Sequence, residues 1–338
     1  MAENVMDNIV AELKKSATTY YPEHGELKNV RIVGHTPKAD HFIYDVVMDF
    51  DKASERVAAK VYRPSKNGHQ GAASLARAEQ VNITSLHKVF DHKKLEGVPR
   101  PIGDFSSFGA VVTEKIGGMP LQSIVMKGAL LPGYADNGAL GKAAAMSGLW
   151  LRNLHKATAE MPEPFEPATL TAEIEKLCVS CKGEGLDDNA IRVIMSGVKK
   201  QLSANRKTLP SSAVLNDFTP LNVLVSENGI SVCDFSKLKM RGSSLNDAAQ
   251  FLASIEALEK YPFCNRAITT QVQQNFTEAY GASVSDQAMV RVLKMKYLLS
   301  MFAQGRGKES AMRKKVMWAT VMKRFIQQAA QRSLAPAA

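Results

Sequence analysis

Residues 215–236 read LNDFTPLNVLVSENGISVCDFS, and this stretch decides the fold. Two short apolar runs flank Asn228-Gly229, a dipeptide typical of the tight turn of a β-hairpin. In an antiparallel pair closed by such a turn, Asn222 and Asp234 would face each other at the open end of the hairpin. Amide and carboxylate oxygens are ligands that Mg2+ accepts, so the pattern predicts a divalent-cation site there.

A second carboxylate, Asp217, lies five residues before Asn222 in a loop that contains Pro220. Phosphoryl transfer needs a base or orienting group beside the metal, to place the attacking hydroxyl. Residues 215–225 and 232–236 resemble the catalytic loop and metal-binding motif of aminoglycoside phosphotransferase and choline kinase-like enzymes. The resemblance implies that Asp217 is the catalytic base, that Asn222 and Asp234 bind Mg2+, and that Asp247 is a structural aspartate.

The resemblance also implies a fold, the α+β class with a bilobal protein-kinase-like arrangement. We expect a small antiparallel β-sheet lobe and a larger, mostly helical lobe. Period-two alternation predicts strands near residues 30–32, 42–46 and 57–61, and the apolar spacing of residues 72–89 predicts a helix after the third strand. Further strands are predicted at 98–105 and 108–116.

Gly117, Gly118 and Pro120 then interrupt regular structure. We therefore expect a β-rich nucleotide-binding lobe at residues 1–116. A helical lobe at residues 117–338 would carry the catalytic loop and the acceptor site.

The third predicted strand contains one lysine, Lys60, within an apolar run. A lysine is costly to bury unless an anion meets it, although an edge strand could instead direct it toward water. In the family that the chain resembles, a lysine on the third strand contacts the α/β-phosphates and pairs with a glutamate of the following helix. The resemblance assigns these roles to Lys60 and Glu79, which is the one acidic residue in residues 72–89.

Residues 111–118 read VVTEKIGG and resemble the segment that joins the two lobes in this family. The resemblance implies that backbone groups near Thr113 and Lys115 contact the adenine of ATP. It also gives His155, at the end of a helical Leu-x-x-Leu-His pattern, a structural role.

Three positions depart from the family pattern. Leu215 stands where many relatives have histidine, Ser236 stands in place of glycine, and residues 33–40 (VGHTPKAD) contain one glycine where a glycine-rich phosphate loop is expected. Kinase-like small-molecule enzymes tolerate the glycine-poor loop, and a catalytically inactive pseudokinase that serves as a binding module would also tolerate these departures.

Composition describes a globular chain without export or membrane signals. The 338 residues are 45% hydrophobic and 22% charged, the N-terminus lacks a signal-peptide pattern, and no stretch of about 18 apolar residues occurs. The four cysteines are too few for a disulfide scaffold, and the pair Cys178 and Cys181 lacks a second ligand pair for a metal. These features predict a cytoplasmic protein.

The net charge of +10 is concentrated near the C-terminus, where an anionic partner could bind. A helical stripe there, which includes Trp318 and Phe325, is typical of core packing, but with its flanking lysines it could instead dock on an anionic membrane. Nucleic-acid binding would rest on charge alone, because no aromatic platform accompanies the basic residues, and we do not expect it.

The sequence as a whole predicts an ATP-dependent, Mg2+-assisted phosphotransferase, a kinase whose partners are ATP and a hydroxyl group of a small molecule, sugar or glycan. The alternatives are the inactive binding module and a kinase of lipopolysaccharide or a lipid-linked sugar at the inner membrane surface.

Overall fold

The computed structural model describes residues 2–131, 133, 136–202 and 206–334, which divide into two units. The first unit comprises the described residues of Met1–Gly118 together with Ser231–Leu238, and the second those of Met119–Ile230 and Lys239–Ala338. The sequence suggested one boundary near residue 116. In the structure the chain also returns to the first unit for a short segment, and this segment carries Asp234.

The first unit is built on a four-stranded antiparallel sheet in the order β1-β2-β3-β4. Alternate residues of β3 (Val57, Ala59, Val61) are buried, as the period-two pattern predicts, and they share a core with the buried face of the first helix. The elements are α1 (Ala2–Tyr20), β1 (Leu27–Pro37), β2 (His41–Phe50), β3 (Ser54–Tyr62), α2 (Pro64–His92) and β4 (Ala110–Glu114).

The strand predicted at residues 98–105 is wrong. This segment runs beside β4, where the Ile102 N–H donates to the Val112 carbonyl and the Glu114 N–H donates to the Arg100 carbonyl, but it forms only an isolated bridge at Pro101. Pro99 and Pro101 have no N–H groups to extend a ladder, which explains why the pairing stops there.

The second unit is mostly helical and contains two three-stranded sheets, β5-β8-β9 and β10-β7-β6. Its strands are β5 (Met119–Pro120), β6 (Glu160–Pro164), β7 (Thr208–Val214), β8 (Val223–Ser226), β9 (Gly229–Val232, whose last residues belong to the first unit) and β10 (Lys239–Ser243). Its helices are α3 (Leu121–Leu130), α4 (Asn137–Ala157), α5 (Pro167–Lys182), α6 (Asp188–Leu202), α7 (Leu245–Ala257), α8 (Arg266–Tyr280), α9 (Val284–Arg306) and α10 (Met312–Leu334).

The hairpin predicted around Asn228-Gly229 is confirmed as β8 and β9, but its turn lies one residue earlier, at Glu227-Asn228. In a two-residue hairpin this shift changes which positions pair. Hairpin register therefore no longer argues that Asn222 faces Asp234, and their shared role as metal ligands rests on the family resemblance.

The apolar stripe of the C-terminal helix α10 is core packing. Trp318, Val321, Met322 and Phe325 are all buried. This face is consequently not available to a membrane, and the membrane alternative finds no support in the stripe. No helix in the described ranges combines the length and the apolar character that a membrane span needs.

A close approach of α4 and α8 gives a stability prediction. A Cβ atom added at Gly148 of α4 would lie 2.3 Å from the backbone oxygen of Phe276 in α8. Because backbone cannot move aside cheaply, we expect Gly148→Ala to lower the free energy of unfolding by about 3 kcal/mol in a urea titration.

Gly197 of α6 is the matched control. A Cβ atom at this position meets its nearest described neighbour at 3.8 Å, an ordinary contact. Gly197→Ala should raise stability by up to about 1 kcal/mol through helix propensity. Equal effects of the two substitutions would contradict the α4–α8 packing.

Candidate active site

A buried lysine in the first unit lies between two carboxylates. The Lys60 Nζ atom is 3.1 Å from Glu79 Oε1 and 3.1 Å from Asp234 Oδ1. The Lys60 side chain is only 13% exposed. The alternative prediction, that an edge strand directs this lysine toward water, is therefore wrong. The structure therefore brings together three of the residues that the sequence singled out.

The pleat of β3 explains how these groups meet. Val57, Ala59 and Val61 enter the core, so Lys60 lies on the opposite face of the strand. Tyr62 shares that face, and its hydroxyl donates to Glu79 Oε2 at 2.6 Å while Lys60 holds Oε1. Tyr62 was missed in the sequence, although its position two residues after Lys60 is a signal that could have found it.

The charges of this cluster stabilise one another. Burial opposes a charged Lys60, but Glu79 and Asp234 outweigh it and raise the pKa of Lys60 above its usual value. Burial likewise opposes a charged Asp234, but Lys60 and the Ser236 backbone N–H, which donates to Oδ1 at 3.0 Å, lower the pKa of Asp234. Both groups are thus ionised at neutral pH. Ser236, which stands where the family pattern has glycine, still supplies its backbone N–H to Asp234.

The connection between β1 and β2 lies in the region where the family has a phosphate loop. It closes through the Lys38 N–H, which donates to the His41 carbonyl at 2.9 Å. Burial and the positive charge of Lys60 lower the pKa of His41, while its Nδ1 atom lies 2.8 Å from Asp40 Oδ1. His41 is therefore neutral at pH 7 and does not add charge beside Lys60.

The loop that follows β7 in the second unit is held by a buried carboxylate. The two oxygens of Asp247 accept from the backbone N–H groups of Leu215 and Asn216, each at 2.8 Å, and the side chain is 0% exposed. Asn216 has a φ of 54°, in the left-handed region that asparagine tolerates better than most residues. Asp247 thus fixes the backbone that carries Asp217.

Asp217 and Asn222 lie in the same loop. The Asn222 Nδ2 group donates to the Asp217 carbonyl at 3.0 Å, and the Thr219 N–H donates to the same oxygen at 2.8 Å. Gln250 of α7, which was not identified in the sequence, makes a long contact of 3.5 Å from Nε2 to Asp217 Oδ1. The two hydrogen bonds to the Asp217 carbonyl hold the loop backbone in place, and they involve the main chain of Asp217.

Aromatic packing holds the loop that carries Asp217 against the helices of the second unit. Phe218 is fully buried and stacks on Trp150 at 5.9 Å and on Phe251 at 5.6 Å between ring centroids. Burial, reinforced by the carboxylates of Asp247 and Asp217, raises the pKa of Tyr297 to about 12, so this phenol keeps its proton. The large apolar group next to Asp217 fixes the loop in place.

Thr113 and Lys115 lie at the end of β4. Thr113 pairs with Ala58 of β3, and the Lys115 N–H donates to the Arg56 carbonyl at 2.9 Å. The Lys115 ammonium pairs with Asp45. An adenine contact at Lys115 would have to use its carbonyl, and the adenine roles of both residues stay predictions.

Asp234 of the first unit and Asn222 of the second each carry a hard oxygen, which is the donor chemistry that Mg2+ prefers. The single Asp234 oxygen Oδ1 takes the bonds from Lys60 and Ser236, and Asn222 uses its nitrogen in the bond to Asp217. In the described part of the chain, no group of three or more His, Cys, Asp or Glu could hold a metal. Each of the two side chains thus offers an oxygen that suits Mg2+, and their shared role as its ligands stays a prediction.

Solved structures with the same architecture cover nearly the whole chain. A glucosamine kinase in one crystal form has a TM-score of 0.59 at 15% identity, with 96% of this chain and 98% of that chain covered. A second crystal form has a TM-score of 0.53 at 15% identity, covering 91% and 96%. A spectinomycin phosphotransferase in complex with ADP and spectinomycin has a TM-score of 0.52 at 13% identity, covering 97% and 98%.

These likenesses confirm the predicted α+β, protein-kinase-like fold, the fold of the phosphotransferases that the sequence resembles. In sequence, the chain matches no protein-family model and no curated protein.

Proposed function

We propose that this chain is a kinase that transfers the γ-phosphoryl group of ATP to a hydroxyl group of a small molecule or sugar. The observation that carries the proposal is the Lys60 ammonium held 3.1 Å from both Glu79 and Asp234. A buried lysine fixed by a glutamate of the next helix and by the motif aspartate is the arrangement that phosphoryl transfer in this fold uses.

We assign the Lys60 cluster of the first unit a role in nucleotide binding. Lys60 contacts the α/β-phosphates, and Glu79, itself held by Tyr62, orients Lys60. Asp234, with Asn222 as the second ligand, holds Mg2+, which when bound neutralises charge on the phosphates. Backbone groups near Thr113 and Lys115 receive the adenine. A solved structure of this fold with ADP bound supports nucleotide use.

The reaction itself places Asp217 at the acceptor. The acceptor oxygen forms a bond to the γ-phosphorus, the bond from that phosphorus to the ADP oxygen breaks, and the hydroxyl proton passes to the Asp217 carboxylate. Asp247 keeps the loop backbone in position for this step through its two bonds to Leu215 and Asn216. ATP as the donor agrees with the predicted cytoplasmic location.

A sugar or aminosugar is the acceptor class that we favour among small molecules. The two proteins compared above are named for glucosamine and for spectinomycin, both rich in hydroxyl and amino groups. A catalytically inactive binding module is the second candidate, and the single glycine in residues 33–40 favours it.

The test is transfer of the terminal phosphate from γ-labelled ATP to a panel of aminosugars, aminocyclitols and choline. We expect labelled product with at least one acceptor, dependent on added Mg2+ and lost in Asp234→Asn. ATP binding without any labelled product from hydroxyl acceptors of these classes would favour the binding module.

A further inference from the structure

Three large apolar side chains of the second unit are exposed close together. Phe263 is 95% exposed, Met312 is 74% exposed and Val316 is 56% exposed. All three line one cavity of about 610 Å3 between the loop before α8 and the first turns of α10. We call these three residues the apolar patch. Exposed apolar groups of this kind mark interaction sites more often than isolated surface residues do.

The backbone at Phe263 is itself unusual. Its φ of 67° lies in the left-handed region, which costs free energy for a bulky residue. The ring that this conformation presents makes almost no contact with the rest of the chain, so core packing does not repay the cost. A contact between this ring and a partner outside the chain would offset the cost.

Cationic side chains surround the apolar patch. Lys260, Arg266 and Arg313 line the same cavity, and Lys314 follows directly in α10. Burial lowers the pKa of Lys260, and the neighbouring charge of Lys314 lowers it further. Arg266 is 3.9 Å from the buried Glu259, whereas no carboxylate of the described residues pairs with Lys260, Arg313 or Lys314. We call these four residues the basic rim.

We propose that the apolar patch and the basic rim dock this chain on an anionic lipid surface. Three apolar side chains are few for a stable protein interface, which buries about 1,200 Å2 or more, but they suffice to enter the headgroup region of a bilayer. A second copy of the chain would bring the basic rim against itself. Lipid phosphates instead complement the rim.

The position of the patch separates it from other features of the chain. Its residues Met312 and Val316 lie in the first turns of α10, whereas the stripe of Trp318, Val321 and Phe325 further along that helix is buried. The last described residue of α10, Leu334, is about 33 Å along the helix from Met312, at 1.5 Å per residue.

Vesicle co-sedimentation tests the proposal. The wild-type chain should sediment with vesicles of phosphatidylcholine mixed with phosphatidylglycerol, and much less with phosphatidylcholine alone. Each rim cation contributes about fivefold to the partition coefficient at an anionic surface, so Arg313→Gln with Lys314→Gln should lower it about 25-fold. Higher salt should weaken binding in the wild type.

Phe263→Asn tests the apolar contribution without loss of the fold, because asparagine tolerates a positive φ. It should weaken binding to the mixed vesicles. The matched controls are Met161→Ser, which removes another side chain that is 81% exposed, and the adjacent pair Lys14→Gln with Lys15→Gln in α1. Both controls should bind as the wild type does.

Two results would overturn the lipid assignment. One is that the wild-type chain does not bind the mixed vesicles, or that the control substitutions weaken binding as much as the rim substitutions do. The other is failure to bind vesicles together with retention on immobilised polyglutamate that depends on Arg313 and Lys314, which would identify an acidic protein as the partner. Neither readout depends on phosphoryl transfer.

Discussion

Replacing Asp217 by Asn is expected to lower the rate of phosphoryl transfer by about 10²- to 10⁴-fold while ATP still binds. Asparagine has nearly the same shape but cannot take the acceptor proton. The loop should keep its conformation, because Asn222 and Thr219 donate to the backbone carbonyl of residue 217, which the substitution leaves unchanged. The measurement is initial rate with saturating ATP and the best acceptor.

Asp91→Asn is the matched control, since Asp91 is an exposed carboxylate of α2 with no place in the proposed mechanism. It should leave the rate unchanged. If Asp217→Asn turned over as fast as the wild type, Asp217 would not be the base, and the assignment by resemblance would fail at its main residue.

Replacing Lys60 by Met is expected to lower the free energy of unfolding substantially. The substitution leaves Glu79 and Asp234 facing each other in a site that is mostly shielded from water, without the ammonium that separates them. Removing one partner of a buried ion pair costs about 3–5 kcal/mol, and because Asp234 is a quarter exposed we expect about 3 kcal/mol. Urea unfolding at neutral pH measures it.

The pH dependence of this loss has a definite sign. The pKa of Asp234 is lowered in the folded chain, so its contribution is present at neutral pH and disappears as the pH falls through that lowered value. The difference between wild type and Lys60→Met should therefore shrink in acid. Lys38→Met, which removes an exposed lysine of the same unit, is the control and should change stability little. A Lys60→Met chain as stable as the wild type would contradict the cluster.

The hairpin and the period-two strands were predictable from short local patterns, and the pairing of Lys60 with Glu79 was predictable from the family resemblance. The strand pattern places Lys60 opposite the core face, and a buried lysine then requires an acid. The turn of the hairpin was misplaced by one residue, since Asn228-Gly229 is the stronger turn signal in the sequence but Glu227-Asn228 separates the two strands. That small error removed a geometric argument for Asn222 facing Asp234.

Other features were beyond the reach of local patterns. β7 reads TLPSSAV and β6 reads EMPEP, and the prolines remove the sequence signal of a strand from both. The pairing of β6 with β7 is irregular at Pro210. Gln250 meets Asp217 only because α7 packs beside the loop. Such contacts depend on tertiary packing, which spacing along the chain does not encode.

The burial of the C-terminal stripe shows the same limit. An amphipathic helix with lysines around its apolar face fits both core packing and membrane docking, and only the neighbours of Trp318 and Phe325 decide between them. The exposed patch at Phe263 had no sequence signal, because its exposure comes from the loop conformation.

The central claim is that Lys60 and Asp234 together form an Mg-ATP site, and calorimetric titration of ATP tests it most directly. The wild-type chain should bind ATP, more tightly with Mg2+ than with EDTA. Asp234→Asn should bind with the same weaker affinity in both conditions, because the proposed metal ligand is gone while Lys60 remains. Absence of ATP binding by the wild type, or an affinity that Mg2+ does not change, would contradict the account.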